Sequence, residues 1–252
     1  MHRQSIAILL LCGMLSACTP AAPAETNLET IRPIADEATS TETVAPDSTE
    51  VSFVEDLLSQ MTLDEKIGQM TQVEMYSLKP GVVEKYFLGS IISGGGSVPT
   101  AGDIKEWKKI FSPPSIPQTR LGIPVLYAVD AIHGIGALYG ATIFPQPVGL
   151  GAANDPVLME QIGQVAAAEL RAVSIPWNFA PIVAVPQDIR WGRTYEAYSE
   201  DTGRVTTLAT AYLKGLQTLP QGYQAAEGQT LFTLATPKHF LGDGGTTYGT
   251  ST

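Results

Sequence analysis

Past residue 50 the apolar residues follow two spacings along the chain, and each spacing implies its own kind of element. Thr62-Leu63-Asp64-Glu65 opens a helix: the threonine hydroxyl can take the Glu65 amide while the Glu65 carboxylate reaches back, ahead of apolar Ile67 and Met70. An amphipathic stretch from Val54 to Leu58 precedes it. Ser90 to Ile92 is a short β-like run closed by Gly94-Gly95-Gly96, and Ala101 to Phe111 predicts a helix through Ile104, Trp107 and Phe111. Pro124 to Val129 predicts a strand that ends at Asp130. Asn154-Asp155-Pro156 pairs a capping side chain with proline at a first helical position, so a helix should run to about Val173 with Leu158, Ile162, Val165 and Glu169 along it. Ile175 to Val185 is strand-like, though broken by Pro176 and Pro181. Thr202 to Leu219 predicts a helix with Leu208, Ala211, Tyr212 and Leu216 on one face, and Leu231 to Thr236 a further buried strand.

Short apolar strands alternating with helices imply parallel βα units, because a parallel partner needs a crossover that a helix supplies. The fold class expected is α/β, a (β/α)8 TIM-like barrel, with about five or six of its eight βα units represented. The last residues, Thr250-Ser251-Thr252, follow a strand-to-loop transition directly. The barrel is therefore expected to be incomplete, and the chain to be the front part of a longer protein.

The first fifty residues follow neither spacing. Arg3 precedes an apolar run from Ile6 to Leu15, too short for a bilayer, which needs about 20 residues. Residues 1–17 are expected to be an export signal. It ends in Leu15-Ser16-Ala17-Cys18, similar to the bacterial lipobox, which implies lipidation of Cys18 and a lipid-anchored protein at the periplasm or cell surface, on the outer membrane. Cys12 lies in the removed segment, so the mature chain has no disulfide. Residues 18–50 then read as the lipidated cysteine and a disordered acidic tether: between Thr19 and Glu50 lie seven acids, one arginine, four prolines and no aromatic residue. The folded domain is expected over residues 51–252.

Charge changes the picture mainly by exclusion. The net charge is −10, with 15 Lys+Arg against 25 Asp+Glu. More than half of the acidity sits in the tether, so the folded part is only mildly acidic. No basic run offers the cations that phosphate-backbone binding needs, so nucleic acid is not expected as a partner. In the mature chain the histidines are His133 and His239, in neither an H-x-H nor an H-E-x-x-H pattern, and no metal or other cofactor is expected. Neither a G-x-S-x-G elbow nor a free thiol supplies a nucleophile. Gly94 to Gly96 lacks the P-loop Lys-Ser/Thr and reads as a flexible loop.

Three polar clusters follow expected strands, at the end where barrels build their sites. Val129-Asp130-Ala131-Ile132-His133-Gly134 places a carboxylate that could accept from two adjacent hydroxyls, or simply cap the next turn. Asp188-Ile189-Arg190-Trp191-Gly192-Arg193, followed by Tyr195 to Asp201, offers guanidinium forks and an indole face suited to a sugar. The alternative is a surface salt-bridge loop with Trp191 in the core. Pro237-Lys238-His239-Phe240-Leu241-Gly242-Asp243 sets a lysine beside a histidine, each costly to bury alone. Lys238 could donate to a hydroxyl or hold a carboxylate, and His239 could pair with Asp243. The alternative is a Lys–Asp surface pair and a satisfied histidine. Carboxylates with basic and aromatic recognition groups suit sugars.

In this order the clusters resemble the N-terminal barrel domain of glycoside hydrolase family 3, in its β-glucosidase and exo-β-glucanase branch. The resemblance is carried by Met61 to Met70, Val129 to Gly134, Trp177-Asn178-Phe179-Ala180-Pro181, Arg190 to Asp201 and Lys238 to Gly245. It implies that Asp130, Arg193, Lys238 and His239 bind the sugar in the −1 subsite, Asp130 accepting from ring hydroxyls and the others donating. Glu196 would orient Arg193 or Lys238 from behind, and Asp243 would stand behind His239. N-acetylglucosaminidase-like members look like K-H-F-P-G-H-G; here Leu241 and Asp243 replace the proline and the second histidine, which implies glucose-type substrates. The substrate implied is a β-linked glucan or gluco-oligosaccharide, cut by a retaining mechanism from its non-reducing end.

Retaining hydrolysis needs a nucleophile and an acid/base, both carboxyl groups. In the family these lie in a Ser-Asp-Trp-like stretch after a later barrel strand and in a second domain, and neither matches a position here. No catalytic residue is therefore assigned, both are expected beyond Thr252, and the 252 residues alone are expected to be inactive and, with exposed barrel edges, poorly stable. The alternatives are a non-catalytic glycan-binding lipoprotein of the cell surface, or a β-N-acetylhexosaminidase or β-xylosidase of the same family.

Overall fold

The computed structural model describes residues 48–93, 120–218 and 233–247. The export signal, Cys18, most of the tether, the Gly94 to Gly96 loop and the helix expected over 101–111 lie outside the described residues. Helix α1 (Ser48–Gln60) takes in the last three residues assigned to the tether. Helix α2 (Leu63–Gln69) starts as its sequence implies: the Thr62 side chain accepts from the Glu65 amide, and the Glu65 side chain accepts from the Thr62 amide at 2.9 Å. Ile67 and Met70, however, face solvent.

Five parallel strands form one sheet in the order β1-β2-β3-β4-β5. They are β1 (Gln72–Glu74), β2 (Ser90–Ser93), β3 (Leu126–Val129), β4 (Trp177–Asn178) and β5 (Leu234–Ala235). Each strand lies beside its predecessor in the chain, with Ile91 against Tyr127, Val129 against Asn178, and Trp177 against Leu234. A doubly wound sheet reverses its strand order at a switch point. Among the described residues this sheet does not, and the winding is that of a barrel wall. Strand β1 carries no sequence signal, being three residues long and bounded by short helices. The run expected as a strand from Ile175 to Val185 contributes only Trp177 and Asn178 to the ladder, plus a bridge from Ile182 to Lys238. Pro176 and Pro181 each lack an amide donor, and that keeps the strand short.

The core lies between the sheet and two long helices. A short helix α4 (Pro147–Ala153), unforeseen in the sequence, follows α3 (Val82–Tyr86) and ends on Asn154 in the left-handed region. Helix α5 (Pro156–Ala172) begins at Asp155, whose carboxylate accepts from the amides of Val157 and Leu158. Its inward face is Met159, Ile162, Ala166 and Leu170; Ile162 lies on the expected stripe and the other three stand one position past it, while Leu158 and Val165 stay exposed. Small residues explain the difference. Helix α6 (Thr202–Gln217) crosses α5 so closely that a Cβ on Gly163 would come within 2.3 Å of the Tyr212 carbonyl, and one on Gly215 within 1.9 Å of the Glu160 carbonyl. Buried Leu208, Tyr212 and Leu216 of α6 complete this core with Tyr127, Val129 and Ile175.

Candidate active site

Asp130 leaves the C-terminal end of β3, and Lys238 leaves the extension of β5. Backbone bonds bring these two ends together. The Phe179 amide donates to the Val129 carbonyl, Thr236 to Asn178, Lys238 to Pro181, and Val183 back to Lys238. The Lys238 ammonium lands on the Asp130 carboxylate, both side chains largely buried, with the Phe179 ring 5.9 Å from the nitrogen. The Phe179 ring in turn tilts at 49° against Trp177, which donates to the Thr236 hydroxyl. This is neither a surface ion pair nor a turn cap.

A second network adjoins it. The Arg193 guanidinium forks onto Glu196, Nε to Oε1 at 2.9 Å and Nη2 to Oε2 at 2.5 Å, while Nη1 donates to His239 Nε2 at 3.1 Å. The other ring nitrogen of His239 sits 2.9 Å from Asp243 Oδ2, on the short helix Asp243–Gly245. For Arg193 to donate to Nε2, that nitrogen must carry no proton, so the ring is neutral with its proton on Nδ1. The electrostatics agree. Burial, helped by the Arg193 and Lys238 charges, pushes the His239 pKa below 6.5 against the opposing pull of Asp243. Burial also works against ionising Glu196, but Arg193 and then Lys238 outweigh it and hold its pKa down.

The structure thus brings together all six residues singled out in the sequence: Asp130, Arg193, Glu196, Lys238, His239 and Asp243. Two neighbours go elsewhere. Trp191 is buried in a small apolar cluster with Ile182, Ala184 and Ala197, so it presents no face to a sugar. Arg190 turns to solvent and pairs with Asp188. His133 has both nitrogens in use, Nδ1 on the Phe144 carbonyl at 2.9 Å and Nε2 on the Gln146 amide at 3.0 Å, which makes it a structural histidine. Gly134 turns the chain away from Asp130 at φ +104°, where a Cβ would meet the Thr142 carbonyl. Among the described residues no cluster of His, Cys, Asp and Glu could hold a metal ion.

Sequence reasoning gave no role to Asn178. It is wholly buried at the end of β4 and bonds to both the amide and the carbonyl of Ala131. The signal was present: an asparagine in an apolar strand must find partners or be expensive.

As the six residues stand, each of their three carboxylates faces a cation or the histidine. The arrangement can accept and donate hydrogen bonds to a polyhydroxylated ligand. It holds no pair of free carboxylates among the described residues.

Comparison with known proteins gives one consistent result. Residues 62–251 match the model of the glycosyl hydrolase family 3 N terminal domain. The chain is 29% identical over 213 residues to the lysosomal beta glucosidase of Dictyostelium discoideum, covering 76% of this chain and 26% of that protein. It is 29% identical over 204 residues to the periplasmic beta-glucosidase of Salmonella typhimurium, covering 79% and 25%. Among solved structures, the exo-1,3/1,4-beta-glucanase of a Pseudoalteromonas species superimposes with a TM-score of 0.68 at 39% identity, over 81% of this chain and 26% of that one. The chain therefore spans about a quarter of the length of these relatives. With nearly all of its folded part matched, the chain belongs to glycosyl hydrolase family 3, whose N-terminal domain it carries.

Proposed function

We propose that residues 51–252 form the sugar-binding part of a retaining, exo-acting β-glucosidase that takes β-linked glucans or gluco-oligosaccharides at their non-reducing ends. The observation that carries this reading is the meeting of Asp130, Lys238, Arg193 and His239 at one end of the sheet. Asp130 has Lys238 as its partner among the described residues, and its carboxylate oxygens can accept from two adjacent ring hydroxyls. Lys238 and Arg193 donate from the other side. His239 donates only by releasing Arg193, so its first service is to orient that guanidinium. Asp243 in place of a histidine supports a glucose-type substrate. The nucleophile and the acid/base are supplied by chain beyond Thr252, and these 252 residues alone do not turn over substrate. The same reading places the protein outside the cytoplasm, anchored through a lipid on Cys18 at the outer membrane; relatives named as periplasmic support export.

Calorimetric titration of the 252-residue chain with glucose, cellobiose and N-acetylglucosamine tests the reading. Glucose and cellobiose should bind, N-acetylglucosamine should not, and Asp130→Ala should weaken binding at least about 100-fold, the cost of two charge-assisted hydrogen bonds. Unaltered binding by Asp130→Ala would overturn the assignment. Turnover of an aryl β-glucoside by the chain alone would overturn the placement of the catalytic carboxylates.

A further inference from the structure

The Asp130 carboxylate sits on a single turn of chain between β3 and Gly134, and a turn alone does not hold a side chain to the accuracy that hydroxyl recognition needs. The residue after it, Ala131, is held from the side by Asn178. Asn178 Oδ1 accepts from the Ala131 amide at 3.0 Å, and Asn178 Nδ2 donates to the Ala131 carbonyl at 3.1 Å. The same Nδ2 donates to the Tyr212 hydroxyl at 3.2 Å, and that hydroxyl donates to the Ala131 carbonyl at 3.3 Å. Asn178 is wholly buried, and Ala131 and Tyr212 are nearly so. Burial also raises the Tyr212 pKa, which keeps the phenol a donor.

An amide side chain that copies the hydrogen bonds of a neighbouring strand fixes both peptide planes around one residue, here the planes on either side of Ala131. Strand β3 ends at Val129, so the ladder stops just before Asp130. Asn178 carries it two residues further, to Ala131, through a side chain. Tyr212 connects that point to α6 and the core.

We infer that Asn178, with Tyr212 behind it, is the positioning pair for Asp130: it holds the Ala131 peptide so that the Asp130 carboxylate stays on Lys238 and faces the ligand. The inference rests on the proposed sugar site for its purpose, but its geometric content concerns Asp130 and Lys238 alone and can be tested without sugar. An ammonium kept against a carboxylate in a largely buried position is shielded from acylating reagents. If Asn178 holds the pair together, losing it exposes Lys238.

The experiment is a brief acetic anhydride pulse on the full 252-residue chain at neutral pH, with the extent of labelling at each lysine read by mass spectrometry. Asn178→Ala should raise labelling of Lys238 at least fivefold relative to exposed Lys214 in the same sample. Tyr212→Phe removes one of the two donors to the Ala131 carbonyl and should raise it about twofold. Ile162→Val, which loosens the core but removes no hydrogen-bonding group around Ala131, serves as the control for simple loss of stability and should leave the ratio unchanged. An unchanged ratio in both Asn178→Ala and Tyr212→Phe overturns the inference, as does an equal rise in Ile162→Val. Should Asn178→Ala fail to fold, Tyr212→Phe against Ile162→Val decides alone. Glucose binding by the same variants forms a separate arm: if the unaltered chain binds no sugar, the functional reading fails while the labelling result stands.

Discussion

Two carboxylates in this molecule meet basic side chains across long stretches of sequence, and the pairs do opposite things. Glu65 is saturated. It takes the Thr62 amide and hydroxyl, and both Nε and Nη2 of Arg120. The remaining reach of Arg120 goes to the Gln60 carbonyl, and the pair ties α1 and α2 to the segment entering β3. Asp130, at the other end of β3, has one cationic partner among the described residues, with capacity left for more. A carboxylate whose lone pairs are all used is a structural staple, while one with capacity left beside donors can take a ligand. The lesson is that the count of satisfied lone pairs, rather than the presence of an ion pair, separates architecture from site.

The Arg193–Glu196 fork stands between these cases, and breaking it should have the largest effect on stability. Glu196→Ala leaves the Arg193 guanidinium without the carboxylate it forks onto. A fully buried cation stripped of its partner costs about 3–5 kcal/mol. The Arg193 side chain is 39% exposed, so solvent screening reduces this to about 1–2 kcal/mol. Urea unfolding at pH 7 measures the loss. Sugar affinity should fall with it, because an unheld guanidinium samples several directions. A variant that loses stability but keeps its affinity would move Glu196 to the architectural side of the comparison.

The same contrast governs what the sequence made legible. Helices α5 and α6 were legible because caps and long periodic stripes are local signals, set by Asp155, Pro156 and Asp201 within one turn of each start. Only the depth of the stripe was misjudged, since glycines and alanines pack inward as well as leucines when helices cross closely. The strands were harder. Two to four residues give too little alternation to fix their ends, and prolines shorten them further. The site residues were legible as clusters, but their partners were not. Asp130 and Lys238 are 108 positions apart, and nothing local says that they meet. Trp191 shows the converse error: a loop rich in charge suggested an exposed aromatic face, yet the ring was worth more in the core.

Acid should separate the two ends of the sheet on one axis. Glu65 is held down to about 2 by its hydrogen bonds to Arg120 and Thr62, against an unfolded value of 4.5. Its contribution is whole above 4.5 and is lost as the pH falls from there toward 2. His239 has a lowered folded pKa, so the unfolded chain takes up a proton first, and stability begins to fall as the pH drops through about 6.5. Denaturant midpoints measured from pH 8 to pH 2 should therefore decline in two limbs. His239→Gln should remove the upper limb, and Glu65→Gln should shrink the lower one without abolishing it, because Glu196 is also held down and titrates in the same range. A single limb shared by both variants would show that the two ends are coupled rather than separate.

The smallest effect is expected where an ion pair is neither staple nor site. Arg190 folds back onto Asp188 two positions away, with its side chain 59% exposed. The hydrogen bond between them raises the arginine pKa. An exposed pair in water gains little, because the charges are as well solvated apart as together. Arg190→Ala should leave the urea midpoint, the acid limbs and glucose affinity within experimental scatter, although the residue lies only three positions from Arg193. Proximity in sequence would then carry no weight against the direction of the side chain. A measurable fall in sugar affinity would place Arg190 at the site after all and widen the ligand-facing end beyond the six residues that meet there.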